Sequence, residues 1–545
     1  VPMSISDWFE RRRLVRKGRA CDKTRLRPVD DTVQGRLERS NVARWVIPLA
    51  FLGLLYLGVI WGHPPQKREH FTLAIIVFIS GLMLLELDCP EIWRSNSKLL
   101  LVLGASWFNL AVIKGIFVDW PPQSESAMSQ MYFLCPYTFA PFLVTLLLGT
   151  RAGLFAVLQV SILASILIPT FDFHGPIPTV DRNFTFLLVS LLSGFTAVYF
   201  TRNVRNRAGL VRAGLAVGAL NLLCAVSLGL VAGRYWAELG WQALFGIGVG
   251  FFTALFVSAI LPLVESAFQI TTTISWLELA DLNHPLLQQM TMEAPGTYHH
   301  SLLVANLAEA GAKAIGLDPT ACRVMAYFHD VGKIVKPEYF TENIPPGANP
   351  HENLSPSMSA LIIVAHVKEG VDLALKYRLK RRVIEAIQQH HGDSVVAYFH
   401  QRALQQQEDA RAGGKIMNMR EEDVPDVSEE SFRYPGPRPQ SKEVALLSLA
   451  DAVEATSRSL EKPTPQRIED MVNEIVAHKV ADHQFDESHL TLNELRAAAE
   501  AMAVTVKNMM HSRIAYAKKD KTSASKHIQP AGRSAGPGSA SSVAA

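Results

Sequence analysis

The sequence predicts an all-α protein in two parts, a polytopic helical membrane domain followed by an all-helical soluble domain. Three observations carry this. From about Trp45 to Ile270 the chain is a succession of long apolar segments with few charges. From Asn283 onward it is charged, and its apolar residues recur at the three- and four-residue spacing of amphipathic helices. Between His299 and His400 lie eight of the 17 histidines (His299, His300, His329, His351, His366, His390, His391, His400), gathered around the adjacent pair His329-Asp330. Imidazoles and carboxylates crowded in this way are costly to bury unless a cation binds them, so the soluble part is expected to hold metal.

Composition narrows the field. The formal net charge of +3 over 545 residues gives no ground for a nucleic-acid polymer as partner. The five cysteines (Cys21, Cys89, Cys135, Cys224, Cys322) are scattered without C-x-x-C spacing, so neither a disulfide framework nor a zinc knuckle is implied.

In chain order, residues 1–44 form a basic arm carrying Arg11-Arg12-Arg13, Arg16, Lys17, Arg19, Lys23, Arg25 and Arg27. It is expected to be solvated, partly disordered and cytoplasmic, with an affinity for anionic lipid head groups. The membrane domain, 45–268, holds eight segments of spanning length at 45–62, 70–87, 98–118, 131–149, 152–170, 184–200, 210–232 and 242–266. No small-residue cleavage pattern follows the first, which reads as a retained helix rather than a secretory signal. With the arm inside, the cytoplasmic loops carry Arg94 and Lys98, then Arg151, then Arg202, Arg205, Arg207 and Arg212, while the opposite loops carry fewer positive charges. That is the positive-inside pattern of a multi-pass inner-membrane protein, and an even number of crossings returns the soluble domain to the cytoplasm. Lys114 and Glu86 fall near segment ends, where their side chains can reach the interface. Few other charges interrupt the spans and no inverted repeat is visible, so an anchor or sensor is expected rather than a transporter.

A connector, 269–287, contains the helix break Asn283-His284-Pro285, and His284 is not expected to touch metal. The soluble domain covers 288–518. Residues 519–545, rich in Ser, Ala, Gly and Lys, are expected to be a disordered tail.

Within the soluble domain, His300 shares a helix face with Leu303 and Leu307, which makes it the inward member of the pair His299-His300. Ala321, Val324, Met325 and Phe328 put His329 and Asp330 late in a second helix, where Gly332 is expected to loosen the turn. Lys333, three residues past Asp330, can aim its ammonium at an anion held by the same site. His366 follows Ile362 on a third helix, and His390-His391-Gly392 ends a fourth built on Val383, Ile384 and Ile387. Asp451 stands where the spacing of Val444 and Leu447 calls for an apolar residue, and a buried carboxylate wants a cation. The seven residues are enough to ligate two ions, with Asp330 as the bridge.

These stretches resemble the HD-domain metal phosphohydrolases, and among them the bacterial seven-transmembrane-HD proteins. The resemblance rests on Asn283 to Leu287, Ala294 to Ser301, Tyr327 to Lys333, Tyr339 to Asn343, Asn349 to His351, His390 to Gly392, Tyr434 to Pro437 and Ala450 to Ala455. It implies a membrane-anchored phosphodiesterase that opens cyclic di-AMP to linear di-adenylate with a metal-activated water. It implies His300, His329, Asp330, His366, His390, His391 and Asp451 as ligands of two divalent ions, manganese or iron. Asp330 and Lys333 would be catalytic, and Lys333, Tyr339 and Asn343 would meet the substrate. A homodimer is compatible with this reading. Members of the family place a large extracellular domain after the first membrane helix, whereas here only about ten residues, around Gly62 to Glu69, separate the first two spans. A polar insertion at 401–431 is expected to be a loop or an extra helix. Two alternatives stand beside this one: an HD phosphohydrolase acting on another nucleotide, and a transporter or receptor with a regulatory HD domain. Against a cyclic di-GMP substrate, Gly392 continues into Asp393-Ser394-Val395 without the Gly-Tyr-Pro extension of that branch.

Overall fold

The computed structural model describes residues 33–61, 68–168, 182–231, 233, 235–345, 349–416, 427–460 and 464–511. Among them the secondary structure is helical, and the one isolated β pairing is a bridge between Val395 and Arg433. Most of the basic arm, and the tail from 519, lie outside the described residues. The arm's last part is a short helix, α1 (Val33–Arg39), rather than solvated coil. It is tied down by Glu38, whose Oε2 accepts from both the backbone N–H and the hydroxyl of Ser97 at 3.0 Å.

All eight expected spans are present as apolar helices: α2 (Asn41–Ile60), α3 (Arg68–Asp88), α4 (Asn96–Asp119), the pair α5 (Glu125–Leu134) and α6 (Phe139–Leu148), α7 (Thr150–Leu167), α8 (Arg182–Thr201), α9 (Arg207–Val231) and α10 (Trp236–Phe268). The fourth span is broken around Pro136, because proline cannot continue a helical ladder. Within lipid the freed backbone groups must find partners. Asn109 of α4 supplies them, its Nδ2 donating to the Pro136 carbonyl (2.9 Å) and its Oδ1 accepting from the Ala140 N–H (3.1 Å). Lys114 is 2% exposed, and its Nζ donates to the Leu167 carbonyl at 2.7 Å. That carbonyl belongs to the C-terminus of α7, where unpaired, partly negative oxygens make a place for an ammonium that lipid would not. Helices α9 and α10 touch backbone to backbone: a Cβ at Gly214 would stand 2.6 Å from the Gly250 carbonyl oxygen, and one at Gly250 equally close to that of Gly214.

Helix α10 ends at Gln269, which adopts φ 54. One turn earlier the buried Glu265 gathers the junction: Oε1 accepts from the N–H and hydroxyl of Thr272, and Oε2 from the Ser275 hydroxyl (2.6 Å) and Lys380 Nζ (3.0 Å). The short α11 (Thr273–Leu279) then divides its side chains, Ile274 joining the membrane core and Trp276 the core of the soluble domain. Pro285 opens α12 (Pro285–Glu293), and His284 caps it, Nδ1 accepting from the Leu286 N–H at 3.2 Å.

The soluble domain continues with α13 (Pro295–Ala314), α14 (Pro319–Phe328), α15 (Pro356–Lys376), α16 (Arg381–Gln389), α17 (Ala397–Ile416), α18 (Lys442–Ser457), α19 (Pro465–Ala481) and α20 (Leu492–His511). Leu307, Val324, Phe328, Ile387, Leu447 and Met502 meet in its core at no more than 1% exposure. Burial of such side chains contributes roughly 1.5–3 kcal/mol each, enough to fix five helix ends around one point. The insertion is therefore helical over its first part, α17; residues 417–426 lie outside the described residues.

Candidate metal centre

The seven expected ligands come together from five helices. His300 sits in the second turn of α13, His329 and Asp330 follow α14, His366 lies in α15, His390 and His391 follow α16, and Asp451 lies in α18. They form two groups that share Asp330: Asp330, His366, His390 and His391 in one, His300, His329, Asp330 and Asp451 in the other, with the donor atoms of each within 4.8 Å of one another. The two oxygens of Asp330 divide between them. Oδ2 lies 3.3 Å from His329 Nε2 and 3.4 Å from His300 Nε2, while Oδ1 lies 3.4 Å from His366 Nε2 and 3.7 Å from His390 Nε2.

Partners behind the rings set the tautomers. His329 Nδ1 donates to the Ala326 carbonyl (2.7 Å), His366 Nδ1 to that of Ile363 (2.6 Å) and His390 Nδ1 to that of Ile387 (2.9 Å). Each is one helical turn back in sequence, so the helix itself turns the lone pair on Nε2 toward the centre. His300 differs: its Nδ1 meets a carboxylate, Glu454 Oε2, at 2.5 Å. His391 is held by its ring, stacked 4.3 Å from Tyr434, with Nδ1 3.8 Å from Asp451 Oδ2.

Electrostatics suit cation binding. Burial, helped by neighbouring histidines, lowers the pKa of His390 to about 3 and depresses His391 in the same direction. Burial lowers His366 as well, so all three are neutral donors at pH 7. Burial opposes ionisation of Asp330 and Asp451, yet contacts with His329, His300 and Lys333 outweigh it and keep both carboxylates ionised. Against burial, the same carboxylate contacts raise the pKa of His300, and that of His329 to about 9, so a cation binding there displaces protons from these two rings. His329 Nε2 and Asp330 Oδ1 are buried without a hydrogen-bond partner. Orphaned polar atoms of this kind are what bound ions would satisfy, and the donor set fits divalent metals.

The neighbouring residues refine several expectations. Lys333 Nζ lies 2.7 Å from Asp330 Oδ2 and 2.9 Å from Glu342 Oε1, between two carboxylates at the edge of the site. Gly332 serves close approach rather than a loose turn: in the 3-10 segment Val331–Val335 it passes against α15, and a Cβ there would stand 2.5 Å from Gly370 N and nearer still to the His366 carbonyl. Tyr339 lines the cleft, and its carbonyl accepts from His351 Nε2 at 2.8 Å. Asn343 is spent elsewhere. Its Oδ1 accepts from the N–H groups of Gly296 (2.9 Å) and Thr297 (3.2 Å), and its Nδ2 donates to the Thr297 hydroxyl (2.8 Å), so it caps α13, and it is not among the residues lining the cleft. His299 is exposed and His284 serves its helix cap. Glu342 and Glu454 were not foreseen as site residues. Glu454 carried a signal, since Asp451, Glu454 and Arg458 fall at helical spacing on one face. The cleft over the centre encloses about 670 Å³ and is lined by His300, Lys333, Tyr339, His391, Asp451 and Arg458, among others.

Comparison with known proteins agrees with both halves. Residues 69–272 match the family described as "7TM receptor with intracellular HD hydrolase", a range that contains the last seven of the eight spans, and residues 297–456 match the HD domain. The cyclic-di-AMP phosphodiesterase PgpH of Bacillus subtilis is 36% identical over 386 residues, covering 70% of this chain and 51% of the relative. PgpH of Listeria monocytogenes is 34% identical over 459 residues, covering 83% of this chain and 59% of the relative. The crystal structure of the L. monocytogenes PgpH HD domain in complex with cyclic-di-AMP is 38% identical, covering 42% of this chain and 100% of that one, with a TM-score of 0.38. The chain thus spans about half the length of the curated relatives it matches. With its membrane helices matching one model and its ligand-bearing helices the other, the chain belongs to the seven-transmembrane-HD family.

Proposed function

We propose that the protein is a membrane-anchored phosphodiesterase that hydrolyses cyclic di-AMP to linear di-adenylate, using two divalent ions, manganese or iron. The observation that carries the proposal is Asp330, whose two oxygens face two different histidine pairs and so let one carboxylate serve both groups. The names of the relatives support the substrate. Bound ions would supply an activated water and neutralise the scissile phosphate. The chain's own part is to orient: carbonyls behind His329, His366 and His390 and the carboxylate behind His300 fix the rings, and Lys333 adds positive charge where negative charge develops on the phosphate. Asp330 and Glu342, together outweighing the effect of burial, raise the pKa of Lys333, so the ammonium stays charged. Tyr339 offers a ring to a purine at the mouth of the cleft. One water is consumed, one P–O ester bond is exchanged for a P–OH, and the released ribose oxygen takes up the proton.

Residues 45–268 would be the membrane domain, 269–287 the connector and 288–518 the catalytic domain. An even number of spans and the Arg202 to Arg212 loop support a multi-pass inner-membrane protein with both termini and the HD domain cytoplasmic. Reporter fusions at the carboxyl terminus test that orientation. For the reaction, the detergent-solubilised full chain with added manganese is incubated with cyclic di-AMP and the products are separated by chromatography. Linear di-adenylate is the expected product; intact cyclic di-AMP alongside cleavage of a mononucleotide would replace this reading with that of another nucleotide phosphohydrolase.

A further inference from the structure

A cyclic dinucleotide carries two phosphates on opposite sides of one ring, and only one can lie at the metal centre. Among the described residues lining the cleft, two side chains are permanent cations, Lys333 and Arg458. Lys333 belongs to the metal end, where Asp330 and Glu342 already flank it. Arg458, just past the end of α18, has a side chain 37% exposed and faces the same cleft. Its Nε donates to Glu454 Oε1 at 2.8 Å, while its two terminal nitrogens make no hydrogen bond to the described residues. A guanidinium pinned in this way presents a planar fork of N–H donors, the geometry that matches two oxygens of one phosphate.

We infer that Arg458 is the anchor for the second phosphate of the cyclic dinucleotide, the one that is not cleaved; the inference rests on the substrate reading given above. Glu454 gives it a fixed place. The same carboxylate holds His300 Nδ1 through Oε2 and Arg458 Nε through Oε1, so a metal-ligand ring and the guanidinium plane are set by one group. The distance between the two phosphate-binding poles of the cleft is thereby built in before substrate arrives, which lowers the ordering cost of binding. A ligand with a single phosphate can use only the metal end, so Arg458 separates cyclic dinucleotides from smaller phosphodiesters.

The test uses the full chain in detergent with manganese, and two substrates: cyclic di-AMP and bis(p-nitrophenyl) phosphate, a diester with one phosphate. For Arg458→Ala the KM for cyclic di-AMP should rise by about tenfold or more, the loss of a charge-assisted bidentate contact. The rise should exceed that for the one-phosphate diester several-fold, and bound metal per chain should match the wild type. Arg458→Lys, which keeps the charge but not the fork, should fall between. Equal changes for both substrates, or loss of bound metal, would overturn the inference, because Arg458 would then act through Glu454 and His300. Unchanged KM values would overturn it too. A wild-type protein that cleaves the one-phosphate diester but leaves cyclic di-AMP intact would instead defeat the substrate reading, and that is seen before any substitution is made.

Discussion

Replacing Gly332 by alanine adds one methyl group at the most crowded point beside the centre. The new Cβ would stand 2.5 Å from Gly370 N and closer to the His366 carbonyl, both main-chain atoms of α15. Non-bonded contacts settle near 3.5–4.0 Å, so the segment bearing Asp330 and Lys333 must move away from the helix bearing His366 by on the order of 1 Å. Neither neighbour is a side chain that can rotate aside. Overpacking against buried backbone costs about 3 kcal/mol, and a displacement of this size at a reacting centre lowers turnover by roughly 100-fold. Thermal unfolding, metal analysis and turnover of cyclic di-AMP would be measured beside Gly311→Ala. There the new Cβ meets the flexible end of Met502 at 2.7 Å, and the expected loss is about 1 kcal/mol or less. A Gly332→Ala protein as stable and active as the Gly311→Ala control would refute the close-approach argument, and with it the claim that the Gly332–α15 contact sets the spacing of Asp330 and His366.

Asp330→Asn should lower bound metal and cut hydrolysis by at least ~100-fold, since losing even an outer partner of a metal ligand costs 10–100-fold. His299→Ala, on the exposed side of α13, should change stability by no more than about 0.5 kcal/mol and leave metal content alone, so equal losses from the two substitutions would contradict the ligand assignment. Asn343→Ala should cost about 1–2 kcal/mol in unfolding experiments through its lost contacts to Gly296 and Thr297; a raised KM with unchanged stability would return it to the substrate site.

The gathering of these seven residues was legible because its signals are local. Helical spacing shows which face His300, His366 and Asp451 occupy, and an apolar face interrupted by a carboxylate is visible in a string. The spans were legible for the same reason, since twenty apolar residues in a row have few other uses. What spacing does not reveal is which side chain meets which across the fold. Asn343 was expected to meet the substrate from the resemblance over Tyr339 to Asn343; only the approach of its loop to the start of α13 makes it a cap. Lys114 lies five residues from the end of its helix, and nothing nearby in sequence shows that the end of α7 stands beside it. Gly332 would suit a turn as well as a close contact, and the backbone of α15 decides between them. Glu454 was the one omission that periodicity could have prevented.

The central claim is that two ions share Asp330 and that hydrolysis needs both. The direct measurement strips the full chain of metal, returns manganese in steps, and follows bound metal and linear di-adenylate together. Activity should rise to its plateau as occupancy reaches two ions per chain, and the Asp330→Asn protein should neither reach that occupancy nor form product. Full activity at one ion per chain, or an active Asp330→Asn protein with two, would contradict the shared-carboxylate centre.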